Sequence, residues 1–215
     1  AGDRLVERRD HETVRDRLSR EKQLPIAEAV RIATEVASAL DYAHRHGVIH
    51  RDTKPANTLL HDGRATVADF GLAKPLESSE PSTELTGTQV VVGTLHYVAP
   101  EQARGLPVDF RADVYALGVL LFEMLVGERP FRASTPFDLL EMQVHQPLPS
   151  IRARRPDTSE AMERLVRWMT QKDPQARPGS YDALLAALDE GSAHRPLTDE
   201  AAEAKGTPAT KRLCL

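Results

Sequence analysis

The sequence predicts a mainly α-helical domain with a small β-hairpin in its first third. Three observations lead there. Ile26, Val30, Ala33, Val36, Ala37 and Leu40 recur at helical spacing. Residues 111–126 are apolar nearly all round, as expected of a buried helix. Two β-prone runs, Thr58-Leu59-Leu60 and Ala65-Thr66-Val67-Ala68, flank a His-Asp-Gly turn at 61–63.

Taken in order, residues 3–23 are dense in charge, with Leu5, Val6, Val14 and Leu18 as sparse apolar points. This predicts a short extended piece and a small helix near 11–20, with Arg8-Arg9 and Arg15-Asp16-Arg17 on solvated faces. Pro25 opens the first long helix, where its missing N–H costs nothing, and Gly47 ends it after His44-Arg45-His46. Val48-Ile49 leads into the segment 50–57, and the hairpin follows. Residues 74–93 are rich in Ser, Thr, Glu, Pro and Gly without sustained periodicity, which predicts a long functional or disordered loop. The buried helix 111–126 stops at Gly127. Amphipathic helices are expected near 136–146, 158–171 and 180–189, with a polar tail after Gly191. Two units result, a domain over 1–190 and a tail over 191–215.

Composition narrows the function classes. The 215 residues suffice for one domain with a real core. Apolar residues are 40% and charged residues 28%, an ordinary globular balance. A net charge of −4 provides no global field for nucleic acid or an anionic membrane. No apolar run approaches a bilayer span, and no secretory signal precedes the first periodic segment. The lone Cys214 permits no internal disulfide, which predicts a reducing, cytoplasmic setting for this segment.

The chemistry concentrates in two places. Residues 50–57 read His-Arg-Asp-Thr-Lys-Pro-Ala-Asn, which offers a carboxylate (Asp52), an ammonium (Lys54) and an amide oxygen (Asn57) within six positions. Twelve residues after Asn57 comes Asp69-Phe70-Gly71, a second carboxylate before a glycine that lets the backbone turn. Such a set can hold Mg²⁺ and aim a hydroxyl at a phosphoryl group.

Five segments in order resemble the protein kinases, specifically the eukaryotic-like Ser/Thr kinases of bacteria. They are the two above, the run Gly-Thr-Leu-His-Tyr-Val-Ala-Pro-Glu at 93–101, Asp-Val-Tyr-Ala-Leu-Gly at 113–118, and Asp-Pro-Gln-Ala-Arg-Pro at 173–178. The resemblance covers roughly residues 5–190. It implies the kinase large, C-terminal lobe, with the hairpin beside the catalytic loop, and it implies ATP and Mg²⁺ as cofactors and proteins with Ser or Thr as substrates.

Carried over position by position, the resemblance assigns roles. Asp52 aligns the substrate hydroxyl for in-line attack, Lys54 places positive charge near the transferring phosphate, and Thr94 bonds toward both. A Lys two residues after the Asp is the Ser/Thr pattern rather than the Tyr one. Asn57 and Asp69 ligate Mg²⁺, and Leu59, with Leu60 as a weaker choice, lies under the adenine. Arg51 meets a phosphate on the activation segment, with Thr86 and Thr88 as acceptors, five to seven residues before Gly93; a phosphate there adds close to two negative charges. Ser78, Ser79, Ser82 and Thr83 are weaker acceptors. Glu101 and Arg177 form a buried ion pair, Asp113 accepts backbone N–H bonds from the catalytic loop, and His50 and Phe70 pack with Gly71 at the turn.

The sequence also departs from the family. None of its 215 residues forms a glycine-rich Gly-x-Gly-x-x-Gly loop, and no strand Lys or helix Glu of the small lobe is recognisable. The expectation is a chain that begins near the hinge, lacks the β-rich small lobe, and is weak or inactive alone. Thr53 and Thr58 replace the family's aliphatic residues, a mild expected loss of packing. Two other readings stand beside this one. A non-catalytic, pseudokinase-like docking module is opposed by the retention of Asp52, Lys54, Asn57 and Asp69. A small-molecule phosphotransferase is opposed by the peptide shelf that residues 93–101 imply.

Overall fold

The computed structural model describes residues 12–69, 74–75 and 93–192. Thr13 sets the first turn of structure. Its hydroxyl accepts from the Asp16 amide while the Asp16 carboxylate accepts from the Thr13 amide, a reciprocal cap that starts α1 (Val14–Glu21). The two residues before it, β1 (Glu12–Thr13), pair with the hairpin edge. α2 (Ile26–Arg45) begins directly after Pro25, which serves as the cap rather than the first helical residue. β2 (Val48–Ile49) leads to a 3-10 turn at Pro55–Asn57, and the hairpin β3 (Thr58–His61) and β4 (Arg64–Val67) follows at the expected place. β5 (Lys74–Pro75) pairs antiparallel with β2. A 3-10 turn at Thr94–His96 precedes α3 (Pro100–Ala103), α4 (Arg111–Val126), α5 (Pro136–His145), α6 (Glu160–Met169) and α7 (Tyr181–Ser192).

The sheets are small and serve the loop between β2 and β3. One has the antiparallel order β1-β3-β4, with Thr58 opposite Val67 and Leu60 opposite Ala65. Strand alternation turns Leu60 to the main core, where it packs partly buried, and so puts Leu59 on the other face. Leu60 therefore packs on the core.

α4 is the axis of the lobe. Every residue from Ala112 to Leu125 is buried, because α2 and α6 pack against it and the 93–101 segment covers its first turns. Each fully buried Leu contributes roughly 1.5–3 kcal/mol by leaving water. Two glycines make the fit possible. A Cβ at Gly118 would lie 2.7 Å from Thr170 Cγ2 and 2.9 Å from Met169 Cβ. Gly127 ends the helix at φ +81°, where a Cβ would also meet the Lys22 carbonyl at 2.8 Å. The guanidinium of Arg155 then caps the helix end, donating to the carbonyls of Leu125 at 2.9 Å and Leu24 at 2.6 Å.

α6 is shorter than its expected span. Ser159 caps it by accepting from the Met162 amide, and Thr170 closes it. Thr53 and Thr58 are not packing defects, contrary to expectation. Both are buried with their hydroxyls engaged: Thr53 toward Asp113 at 3.5 Å, Thr58 donating to the Lys54 carbonyl at 3.1 Å. A buried hydroxyl with an acceptor escapes the desolvation penalty that an unpaired one carries. None of the described helices is long and apolar enough to cross a membrane.

Candidate active site

The loop between β2 and β3 is pinned from below by a single buried carboxylate. Asp113, in the first turn of α4, accepts the backbone N–H of His50 on one oxygen and that of Arg51 on the other, both at 2.8 Å. Burial pushes the Asp113 carboxyl up, while these two amides favour its charged form. His50, fully buried, locks the loop sideways. Its Nδ1 accepts the Asp52 amide at 3.2 Å, which leaves Nε2–H to donate to the Ala68 carbonyl at 3.0 Å. That pairing assigns Nδ1 as the acceptor and Nε2 as the donor. Arg51 holds φ at +67°, a left-handed conformation that an L residue keeps only when its surroundings enforce it.

Pinned this way, the loop presents Asp52. One carboxylate oxygen, Oδ2, receives Lys54 Nζ at 2.6 Å and Asn57 Nδ2 at 3.0 Å, and the Asp52 carbonyl receives the same Asn57 amide at 2.9 Å. The other oxygen, Oδ1, is buried with no partner among the described residues. Lys54 Nζ also donates to Thr94 Oγ1 at 2.8 Å, which ties the loop to the turn at Thr94–His96. Asn57 directs its amide nitrogen inward at Asp52, so its amide oxygen is the end that could meet a cation. Its backbone carbonyl accepts the Ala68 amide at 2.8 Å, so the residue before Asp69 is bonded to Asn57 itself. Asp69 is exposed and sits at φ +62°, again left-handed. The expected residues therefore meet: Asp52, Lys54, Asn57 and Thr94 in one hydrogen-bonded group, with Asp69 one residue beyond its border. An oxygen-rich edge with one orphaned carboxylate oxygen fits a hard cation and a hydroxyl donor. Leu59 is half-buried on β3, two residues after the 3-10 turn ends at Asn57.

The segment 93–101 is fixed at both ends. At its rear, Glu101 and Arg177 form a bidentate pair with bonds of 2.7 and 2.8 Å, both side chains buried. At its middle, Gln102 Oε1 accepts the Ala99 amide and Gln102 Nε2 donates to the Arg51 carbonyl, each at 3.0 Å. Arg51 Nε is buried with no partner among the described residues. Phe70, Gly71, Thr86 and Thr88, together with Ser78, Ser79, Ser82 and Thr83, lie outside the described residues.

Several residues at this site were given no role by the resemblance. Tyr97 donates to the buried carboxylate of Glu123 on α4, and Arg15 on α1 embraces the same carboxylate through Nη1 at 2.9 Å and Nη2 at 3.1 Å. Burial and the neighbouring Glu123 push the Tyr97 hydroxyl up. His96 beside them is held below the ordinary imidazole value by burial and by the charge of Arg129. A sequence signal existed: Glu123 is the one charged residue between 114 and 126 of an otherwise apolar helix. Gln143 on α5 is fully buried and reaches the same turn. Its spacing of four from buried Leu139 put it on the inner face.

A buried α4 axis carries a loop whose carboxylate, ammonium and amide share one oxygen. Residues 5–187 fit the protein kinase domain, and this chain belongs to that family. It is 39% identical over 169 residues to the probable serine/threonine-protein kinase PknB of Lactococcus lactis, covering 78% of this chain and 26% of that protein. It is 40% identical over 191 residues to the serine/threonine-protein kinase pkn3 of Myxococcus xanthus, covering 86% and 35%. With the serine/threonine-protein kinase PknJ of Mycobacterium tuberculosis it shares 45% over 158 residues, covering 70% and 26%. The chain thus spans about a quarter to a third of the length of these curated relatives.

Proposed function

We propose that this chain is the substrate-side lobe of a serine/threonine protein kinase, which transfers the γ-phosphate of ATP to a Ser or Thr hydroxyl of a protein. The carrying observation is the state of Asp52: Oδ2 bonded to Lys54 and Asn57, Oδ1 buried and unpartnered. A buried acceptor with no donor is costly unless a partner arrives, and a substrate hydroxyl is such a partner. In this reading Asp52 Oδ1 accepts the hydroxyl proton's hydrogen bond and aligns the oxygen for in-line attack. Lys54, held between Asp52 and Thr94, offers positive charge to the transferring group. Asn57 and Asp69 would hold Mg²⁺, which when bound supplies neutralisation of the phosphate oxygens. Leu59 provides the apolar floor for the adenine.

Arg51 is the regulatory residue of this reading, with its orphaned Nε as the support. A phosphate on Thr86 or Thr88 would give that guanidinium a doubly charged acceptor and so order the segment before Gly93.

The 215 residues contain no glycine-rich phosphate loop and no recognisable strand Lys. Positioning is most of what accelerates phosphoryl transfer. The chain by itself is therefore expected to transfer phosphate at or near background. The test compares wild type and Asp52→Asn, each alone and each joined behind a kinase small lobe, with radiolabelled ATP and a Ser/Thr peptide. Transfer is expected for the joined wild type alone. Absence of transfer above Asp52→Asn in the joined form sinks the catalytic reading in favour of a docking module. Turnover by the lone chain refutes its expected dependence on the small lobe.

A further inference from the structure

Behind the Thr94 turn lies a line of polar side chains, Gln143, Tyr115 and Lys172, to which the resemblance assigned no role. Gln143 is fully buried on α5. Its Nε2 donates to the carbonyls of His96 at 2.6 Å and Leu95 at 3.2 Å, and its Oε1 accepts the Tyr115 hydroxyl at 2.6 Å. Lys172 Nζ, from the loop after α6, donates to Tyr115 Oη at 2.9 Å and to the Gln143 carbonyl at 2.7 Å. The ammonium also lies over the rings of Tyr115 and Phe131, at 5.2 and 4.8 Å from their centroids.

The direction of this line is fixed at both ends. An ammonium has donors and no acceptor, so Tyr115 Oη must accept from Lys172 and give its own proton to Gln143 Oε1. Backbone carbonyls have acceptors and no donor, so Leu95 and His96 demand the amide nitrogen. Every group has one role, and the Gln143 amide has one orientation. The turn so held carries Thr94, whose hydroxyl receives Lys54, which in turn bonds Asp52.

We propose that Lys172, Tyr115 and Gln143 form a one-way hydrogen-bond relay that holds the Thr94 turn in register with Asp52, which makes Gln143 and Lys172 positioning residues of the site. The catalytic consequence rests on the kinase reading above; the holding of the turn does not. Gln143 acts on the turn directly. Lys172 acts through Tyr115, at the far end from the chemistry.

The experiment is site-resolved amide hydrogen exchange on the 215-residue chain near neutral pH, for Gln143→Glu and Lys172→Met. Gln143→Glu keeps size and the bond to Tyr115, and sets a carboxylate oxygen against two carbonyls. Lys172→Met removes the donor at a half-buried position and keeps an unbranched side chain of similar length. The reporter is the Tyr97 amide, which donates to the Thr94 carbonyl at 3.1 Å. Its exchange is expected to quicken at least about tenfold in both variants, with α2 and α6 unchanged. Tyr97 exchange within about twofold of the parent in Lys172→Met overturns the relay, as does a uniform acceleration of all helices. If Gln143→Glu does not fold, Lys172→Met decides alone. In the joined form, kcat is expected to fall with KM for ATP unchanged. Local loosening in a parent that transfers no phosphate retains the relay and discards the kinase reading.

Discussion

Arg177 holds Glu101 with two nearly equal bonds, and the remaining three N–H groups of its guanidinium donate to the carbonyls of Gln171, Arg111 and Lys172. All five donors are engaged while the carboxylate depends on Arg177 for both of its bonds. The pair is therefore asymmetric. Arg177→Met strands a buried carboxylate with nothing to replace its partner, a change worth about 3–5 kcal/mol. Glu101→Gln leaves a guanidinium that keeps its three carbonyls, so a smaller loss is expected. Urea unfolding of the two variants measures the difference, and equal losses would contradict the asymmetry.

Asp113 gives a second prediction. Its two oxygens each face a backbone N–H, of His50 and of Arg51. Asp113→Asn keeps the shape but turns one acceptor into an NH₂ that opposes a donor. One buried amide then loses its partner, at about 1–3 kcal/mol. The damage is expected to be local, with faster exchange at the His50 or Arg51 amide and a mobile Asp52. Unchanged exchange at both amides would show that the carboxylate does not hold the loop.

Much of this was legible in the chain, and what was not has a common cause. α2 and α4 were readable because sustained apolar periodicity reports a helix face directly. The group Asp52, Lys54, Asn57 was readable because its members are close in sequence. β1 and β5 were not: a two-residue strand has no period, and Glu12 and Lys74 become strand only through distant partners at Leu60 and Ile49. Thr53 looked like lost packing because the group its hydroxyl faces, Asp113, is set by a tertiary contact, and Thr58 because its local bond to the Lys54 carbonyl depends on the loop conformation. Gln143 and Glu123 carried a signal, a polar residue on a buried face, but the partners that explain it lie 26 to 108 residues away.

The close contact of α4 with the end of α6 is the third prediction. Gly118→Ala would force its methyl against Thr170 Cγ2 and Met169 Cβ, and the latter cannot swing aside because it is fixed to the backbone. Overpacking of this kind costs about 1–3 kcal/mol. Adding Thr170→Ser removes Cγ2 and keeps the hydroxyl that donates to the Val166 carbonyl. The double variant is expected to regain part of the lost stability, and a double variant as unstable as the single one would place the clash elsewhere.

Burial and the charge of Arg177 push the Lys172 ammonium down to about 8 from its ordinary 10.5. Below about pH 8 the amine is charged in both folded and unfolded chains. Between there and 10.5 the folded protein has released a proton that the unfolded chain still binds, so stability rises with pH across that interval. The tyrosines act the other way. Tyr97, Tyr115 and Tyr181 are all pushed above their ordinary 10 by burial, so beyond it the unfolded chain sheds protons that the folded one keeps, and stability falls. A stability maximum near pH 10 is expected, on the alkaline side of most globular proteins. Lys172→Met should flatten the rise below it and leave the fall above it intact, since the tyrosines remain. Thermal unfolding from pH 7 to 11 reads both limbs, and a rise that persists in Lys172→Met would show that another group releases the proton.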